Sequence, residues 1–342
     1  MTQQPARSRA TLTGISSRAW EHPADRGALV ALRKLKGFDT VLKAISSLFN
    51  ERANRLVFLG SMIRADDRQF AGLNRLLAEV GRTLDVGELP ELYVQNSPFT
   101  NAKCVGMDKP IIVINSAMLD VLDEEEMRFV VAHELGHAMS GHAVYRTLLD
   151  RLGKLTGVFN SVPIGGLGAR MITAALYEWQ RKSELSADRA GLLATQDPAT
   201  AFRVHMKLAC GSGDLSDLDQ TSFFAQGQEY LESTDLRDSV LKLLLVEEQT
   251  HPFAVVRAAE LRRWVDSGEY TQILGGTYPR REDDADASMS EAAKKAADSY
   301  TEVFRSSGDA LGKLVHDLAG VAGSAKGWID ERFRRAGGDD AV

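Results

Sequence analysis

A short pattern of histidines and a glutamate constrains this chain more than any other part of its sequence. Residues 129–142 have the sequence FVVAHELGHAMSGH, which places His133, Glu134 and His137 in the spacing His-Glu-x-x-His. Residues four apart lie on one face of a helix, so the two histidines can present their imidazoles to a single ion. Zinc prefers such nitrogen ligands, and Glu134 is placed beside them as a base for a bound water. The simpler alternative is a helix with two surface histidines.

The ends of this helix are also readable from the sequence. Asp123 followed three residues later by Glu126 is a capping-box pattern, and the acidic residues after Asp123 favour the positive end of a helix. Gly141 predicts the end of the helix, because glycine adopts the left-handed conformation that commonly follows the last turn. The motif is therefore predicted to lie in the interior of one helix.

Composition and charge exclude several classes of protein. The 342 residues are 44% hydrophobic and 26% charged, which is typical of a soluble globular chain. A formal net charge of −6 gives no electrostatic reason to expect a nucleic-acid partner. Two cysteines, Cys104 and Cys210, are too few for a disulfide scaffold and suit a reducing compartment.

No segment has the pattern of a signal peptide or an integral membrane span. The first ten residues lack an apolar core, and glycines and Arg170 interrupt the best candidate span, Val158–Tyr177. We therefore predict a cytoplasmic protein. Residues 311–333 are amphipathic with basic residues, which leaves two interpretations open: a solvated or self-packing helix, or a peripheral contact with the inner face of the membrane.

The periodicity of the apolar residues predicts a mainly α chain with a small antiparallel sheet, an α+β fold. Helical spacing dominates before residue 84, and the turn beginning at His22-Pro23 makes Asp25 a candidate helix cap. Short strands are predicted at 91–95, 103–106 and 111–115. Helical patterns resume with the histidine motif and continue to residue 266.

These changes in pattern divide the chain into three parts. Residues 1–84 are predicted to be a helical section packed on a catalytic domain formed by residues 85–275. Residues 276–342 begin with a charged linker and continue as an amphipathic, partly disordered helical tail.

Two histidines leave the metal site one protein ligand short. His142 lies nine residues after His133, about two and a half helical turns away, and so on the opposite face. Glu184 and Asp188 are four apart on a predicted helix and share a face. Glu184 can complete the shell while Asp188 accepts a ring N–H of a ligand histidine. The alternative is a solvated acidic pair.

At these positions the sequence resembles the M48 family of zinc metallopeptidases. The motif from His133 to His137, followed by Glu184-x-x-x-Asp188, is similar to the metal-binding pattern of that family. The resemblance covers about residues 90–265.

Two further segments are similar to the family. His251-Pro252 followed by Arg257 resembles its His-Pro…Arg element; without the family context, a histidine before proline is more typical of a helix entry. Asn101-Ala102 resembles the substrate-facing edge of the family's sheet.

The resemblance implies a zincin-like gluzincin fold and a role for each matched residue. One Zn²⁺ per chain would be bound, Glu134 would be the catalytic base, and His251 would stabilise the oxyanion. Arg257 would pair with Asp188 or another acid. The three implied zinc ligands are His133, His137 and Glu184.

The function implied is that of a zinc-dependent endopeptidase, with a role in protein quality control among the expectations. A water activated by Glu134 and zinc would hydrolyse peptide bonds of a protein or peptide substrate. Many relatives carry transmembrane helices, whereas no such helix is predicted in this chain. It therefore resembles a soluble member of the family. The alternatives are a zinc-bound chaperone-like or scaffold protein whose protease site is latent or lost, and a non-peptidase metallohydrolase.

Overall fold

Helices form most of the protein in a computed structural model that describes residues 8–48, 50–154, 165–232, 253–302 and 304. The helices of that part are α1 (Pro23–Arg33), α2 (Phe38–Leu48), α3 (Glu51–Ser61), α4 (Ala71–Thr83), α5 (Ala117–Val121), α6 (Glu124–Met139), α7 (His142–Lys154), α8 (Gly165–Thr195), α9 (Pro198–Cys210), α10 (Gln220–Glu232), α11 (Ala254–Asp266), α12 (Glu269–Leu274) and α13 (residues 291–302). The strands are β1 (Ile63–Arg64), β2 (Glu91–Gln95), β3 (Ala102–Val105) and β4 (Ile111–Asn115).

Helix α6 carries the histidine motif and is the centre of the fold. Its N-terminus has the full capping box: Glu126 N–H bonds the Asp123 carboxylate and Asp123 N–H bonds the Glu126 carboxylate, each at 2.9 Å. It ends at Met139, and Gly141 follows with a left-handed φ of 70°. The helix is buried over nearly its whole length, which explains why it has no polar face.

The four strands form one sheet in the order β1-β2-β4-β3. The mainly helical fold with a small sheet is confirmed. The sheet is mixed rather than purely antiparallel, because β2 and β4 run parallel, with pairs from Glu91↔Ile111 to Gln95↔Asn115. The physical reason is that residues 96–110, which contain β3, form a crossover long enough to join two parallel strands. Only the β1 and β3 pairings are antiparallel.

Helices α6 and α8 pack closely against each other and hold the site between them. Gly136 makes this approach possible, because a Cβ there would lie 2.5 Å from the Cβ of Ala190. Gly191 has the same role on α8, where an added Cβ would lie 2.9 Å from the Phe129 ring. Both helices, α4, α9 and three strands contribute to one large hydrophobic core.

The segments outside the central region pack against it. The strand β1 pairs with β2, and α4 contributes Leu76, Leu77 and Val80 to the main core. A second core joins α1, α2, α7 and the middle of α8, and Phe304 is buried in it. The described start of the predicted tail thus packs against α1 and α8 instead of lying apart, whereas residues 305–342 lie outside the described part of the chain. The three-part division at residues 84 and 275 stays a prediction.

Among the residues that the structure describes, no helix combines the length and the apolar character needed to cross a membrane.

Candidate metal centre

Three side chains from α6 and α8 bring their donor atoms to one point. The Nε2 atoms of His133 and His137 lie 3.2 Å apart. The Glu184 carboxylate places Oε2 3.3 Å from His133 Nε2 and Oε1 3.3 Å from His137 Nε2. A tetrahedral ion with bonds of about 2.0 Å needs donor atoms about 3.3 Å apart. The two nitrogens and one carboxylate therefore fit a single divalent metal.

Glu134 lies beside these donors and is almost completely buried, with 1% of its surface exposed. Its Oε1 is 4.0 Å from His133 Nε2, and its Oε2 has no hydrogen-bond partner among the described residues. Burial raises the pKa of Glu134 despite the nearby charge of Arg146. A carboxylate in this state is suited to take up and release a proton.

Asp188 and Arg257 lie on the Nδ1 side of the His133 ring, away from its donor atom Nε2. Asp188 Oδ1 lies 3.0 Å from His133 Nδ1. Arg257 donates from Nε to Asp188 Oδ2 at 2.7 Å and from Nη2 to Oδ1 at 2.5 Å. Burial alone would raise the pKa of Asp188, but the charge and hydrogen bonds of Arg257 hold it well below its usual range. Asp188 is therefore an ionised acceptor that fixes the orientation of the His133 ring.

The two histidines experience opposite electrostatic surroundings. Burial would lower the pKa of His133, but hydrogen bonds to the carboxylates of Asp188 and Glu184 raise it to about 9. Burial and the charge of Arg146 lower the pKa of His137 well below its usual value. These surroundings favour the neutral ring of His137, the form that binds a metal, whereas His133 would have to release a proton on binding one.

Three residues that the sequence did not assign to this centre lie at it. Arg146, on α7, has Nη1 3.1 Å from Glu184 Oε1 and 2.6 Å from His137 Nε2, so it brings a positive charge to the donor atoms. His142, excluded as a ligand by helix geometry, lies with its Nδ1 2.9 Å from His137 Nδ1, on the side away from the other ligands.

The third residue is His205 of α9. It is fully buried, 3.6 Å from Asp188 Oδ2, and burial lowers its pKa to about 4. Arg146 and His205 follow no motif and join the site only through packing of α7 and α9, so no local sequence signal could have found them. For His142 a local signal existed. It follows the predicted helix end at Gly141, so the geometry of one continuous helix does not apply to it, and it begins α7.

A cavity of about 90 Å³ opens in front of the metal centre. His133 and Glu134 line one side of it and Arg257 another. The predicted substrate-edge residues Asn101 and Ala102 also line this cavity. The arrangement brings His133, the buried Glu134 and the start of β3 into one space. His251, predicted to stabilise an oxyanion, lies outside the described residues.

Comparison with known proteins agrees with this geometry. A family model described as "Peptidase family M48" matches residues 67–265. Plastoglobule-localized metallopeptidase 48, chloroplastic, of Arabidopsis thaliana is 33% identical over 262 residues, 75% of this chain and 74% of that protein.

Bacterial relatives match more locally. Protease HtpX of Glaesserella parasuis is 28% identical over 213 residues, 61% of this chain and 66% of that protein. A Protease HtpX homolog of Helicobacter pylori strain J99 is 37% identical over 67 residues, so this chain spans 22% of its length. No solved structure matches the chain. The match over residues 67–265 and the long alignment with the Arabidopsis protein establish that the chain belongs to peptidase family M48 and is a metallopeptidase.

Proposed function

We propose that this metallopeptidase is a zinc-dependent endopeptidase that cleaves extended protein or peptide segments. One observation carries the proposal: the buried carboxylate of Glu134 lies 4.0 Å from His133 Nε2, beside two imidazoles and a carboxylate whose closest atoms are 3.2 to 3.3 Å apart. Two imidazoles and one carboxylate are a donor set typical of catalytic zinc, with a fourth position open.

In the proposed mechanism, His133, His137 and Glu184 would hold a zinc ion, which would supply Lewis-acid chemistry to a water and to a carbonyl. Glu134 takes the proton from the attacking water and returns it to the leaving amine. Asp188 keeps the His133 ring oriented through its 3.0 Å contact with Nδ1. His251 stays the proposed donor to the developing oxyanion, a role assigned from the family resemblance.

The edge of the sheet beside the cavity is where a substrate chain would bind. The strands β2 and β4 lie inside the sheet, whereas β3, which begins at the predicted substrate-edge residue Ala102, is the last strand of the sheet. Asn115 N–H bonds Asn101 C=O, and the register then turns the backbone groups of residues 101, 103 and 105 towards β4. The backbone groups of Ala102 and Cys104 point to the open side, where an extended substrate can add as a further strand.

Digestion of an unstructured protein such as casein by the full zinc-loaded chain tests the proposal. Glu134→Gln should retain zinc and lose cleavage by about 10² to 10⁴-fold, because the proton acceptor is gone. Glu124→Gln, an exposed position on the same helix, is the matched control and should cleave like the parent chain. Full activity in Glu134→Gln would refute the role of this glutamate.

The same experiment separates the alternative functions. A parent chain that binds zinc but leaves every peptide bond intact would favour the chaperone-like or scaffold interpretation. If only truncation of the terminal segments restored cleavage, the protease would be latent. The non-peptidase metallohydrolase predicts that no peptide bond of the casein is cleaved.

The cytoplasmic location, the quality-control role and a peripheral membrane contact of residues 311–333 stay proposals from the sequence. The Arabidopsis relative is named for plastoglobules, which supports a test of binding to a lipid surface. Fractionation of cells that express the full chain, beside a chain ending at residue 304, tests the membrane contact. Equal distribution of the two chains would contradict it.

A further inference from the structure

A row of buried hydrogen bonds runs from the candidate metal ligand His137 to the first helix of the chain. His137 Nδ1 lies 2.9 Å from His142 Nδ1. His142 Nε2 lies 3.1 Å from Asp25 Oδ2 on α1. All three side chains are at most 4% exposed. The row therefore connects the centre to a part of the chain outside residues 67–265, the segment matched by the family model.

The proton positions in this row follow from the chemistry of its end groups. His137 Nε2 faces Glu184 and His133, so as a metal ligand it must present a lone pair there, and the ring proton sits on Nδ1. His137 then donates to His142 Nδ1. His142 must carry its own proton on Nε2 and donate it to Asp25, which as a carboxylate only accepts. One arrangement of protons satisfies every contact.

Asp25 is held so that it can play only this role. Its Oδ1 accepts a hydrogen bond from Trp179 Nε1 at 2.9 Å. Its Oδ2 accepts a hydrogen bond from Ser186 Oγ at 2.6 Å in addition to the one from His142. Three donors converge on one buried carboxylate, and two of them belong to α8, the helix that carries Glu184. Asp25 does not cap its helix, because the His22 side chain accepts the Ala24 N–H instead.

We propose that Asp25 is a positioning residue of the metal centre, which fixes the ring orientation and proton of His137 through His142. The inference rests on the proposed metal site. It makes α1, which belongs to the predicted N-terminal helical section, a part of that centre. Carboxylates and carbonyls that orient metal-binding histidines commonly change metal affinity by about 10 to 100-fold when they are removed.

Zinc affinity of the full chain, measured by competition with a chromophoric chelator, tests this role. Asp25→Asn has the same shape but brings an NH₂ group to a site with three donors, so one donor loses its acceptor. We expect Asp25→Asn to bind zinc about 10 to 100-fold more weakly. Asp197→Asn is the matched control: it makes the same substitution at the N-cap of α9, outside the row, where asparagine caps a helix about as well as aspartate, and its zinc affinity should stay within about threefold of the parent.

A second measurement does not depend on how the variants fold. Long-range ¹H–¹⁵N spectra of the zinc-loaded parent chain report which ring nitrogen of each histidine carries a proton. We expect the proton on Nδ1 of His137 and on Nε2 of His142. A His142 proton on Nδ1, or equal zinc affinities for Asp25→Asn and Asp197→Asn, would overturn the proposal. A parent chain that binds no zinc would overturn the proposed function as well, so the two failures are distinguishable.

Discussion

Gly136 offers the sharpest test of how this fold sets the spacing of its donor atoms. It lies between His133 and His137 and faces α8, where an alanine Cβ would be 2.5 Å from the Ala190 Cβ. Apolar carbon atoms normally lie about 3.5 to 4.0 Å apart. Gly136→Ala therefore forces α6 and α8 apart by roughly 1 Å, since neither the methyl nor Ala190 can rotate away.

The expected magnitudes combine two opposing terms. Alanine favours the helix over glycine by about 1 kcal/mol, whereas overpacking costs about 1 to 3 kcal/mol. The net effect is a loss of about 0 to 2 kcal/mol in unfolding free energy. The Glu184 oxygens, now 3.3 Å from each histidine Nε2, would move away by about the helix displacement. Displacements of this size cost about 10²-fold in activity.

Unfolding in urea and casein cleavage by the full zinc-loaded chain measure both effects, and zinc competition reports the spacing of the donor atoms. Gly60→Ala is the matched control, because Gly60 is exposed on α3 and an added methyl there meets no atom within 4 Å. Gly60→Ala should raise the unfolding free energy by up to about 1 kcal/mol and leave zinc binding unchanged. If Gly136→Ala gains stability in the same way and binds zinc like the parent, the reasoning about the α6–α8 contact is refuted.

Two more predictions concern buried groups. Arg257→Gln removes the partner of a buried carboxylate and should lower the unfolding free energy by about 3 to 5 kcal/mol. Arg263→Gln, which breaks a half-exposed pair on the same helix, should cost at most about 1 kcal/mol in the same urea titration, and similar losses for both would contradict the account. Cys104 is fully buried and burial raises its pKa, whereas Cys210 is exposed. A thiol reagent should therefore label Cys210 alone in the native chain and both cysteines in urea; rapid native labelling of Cys104 would show that β3 opens.

The features that local sequence can specify were predicted well. The strands β2 and β4 have the predicted bounds, because a short apolar run bounded by turn residues determines a strand without outside help. The limits of α6 follow from Asp123, Glu126 and Gly141, which act within one turn of the helix ends. One local signal was missed: the helical spacing predicted before residue 84 gave no break at Gly37, where φ is 89° and α1 and α2 are separated.

Features that depend on distant packing could not be predicted from one sequence. Alternation of apolar residues locates strands but does not give their order, so the parallel β2–β4 pair was not foreseen. Asp25 has a local interpretation as a helix cap, and only the packing of α1 on α8 turns its carboxylate towards His142. Arg146 reaches Glu184 because α7 folds back beside α8.

The central claim is that three side chains hold one zinc ion and that Glu134 acts beside it without binding it. Native mass spectrometry of the full chain, with metal identity from elemental analysis, measures this directly. We expect one zinc ion per chain in the parent and in Glu134→Gln, and none in His137→Ala. Undiminished zinc in His137→Ala, or a parent chain that binds no zinc at all, would contradict the account.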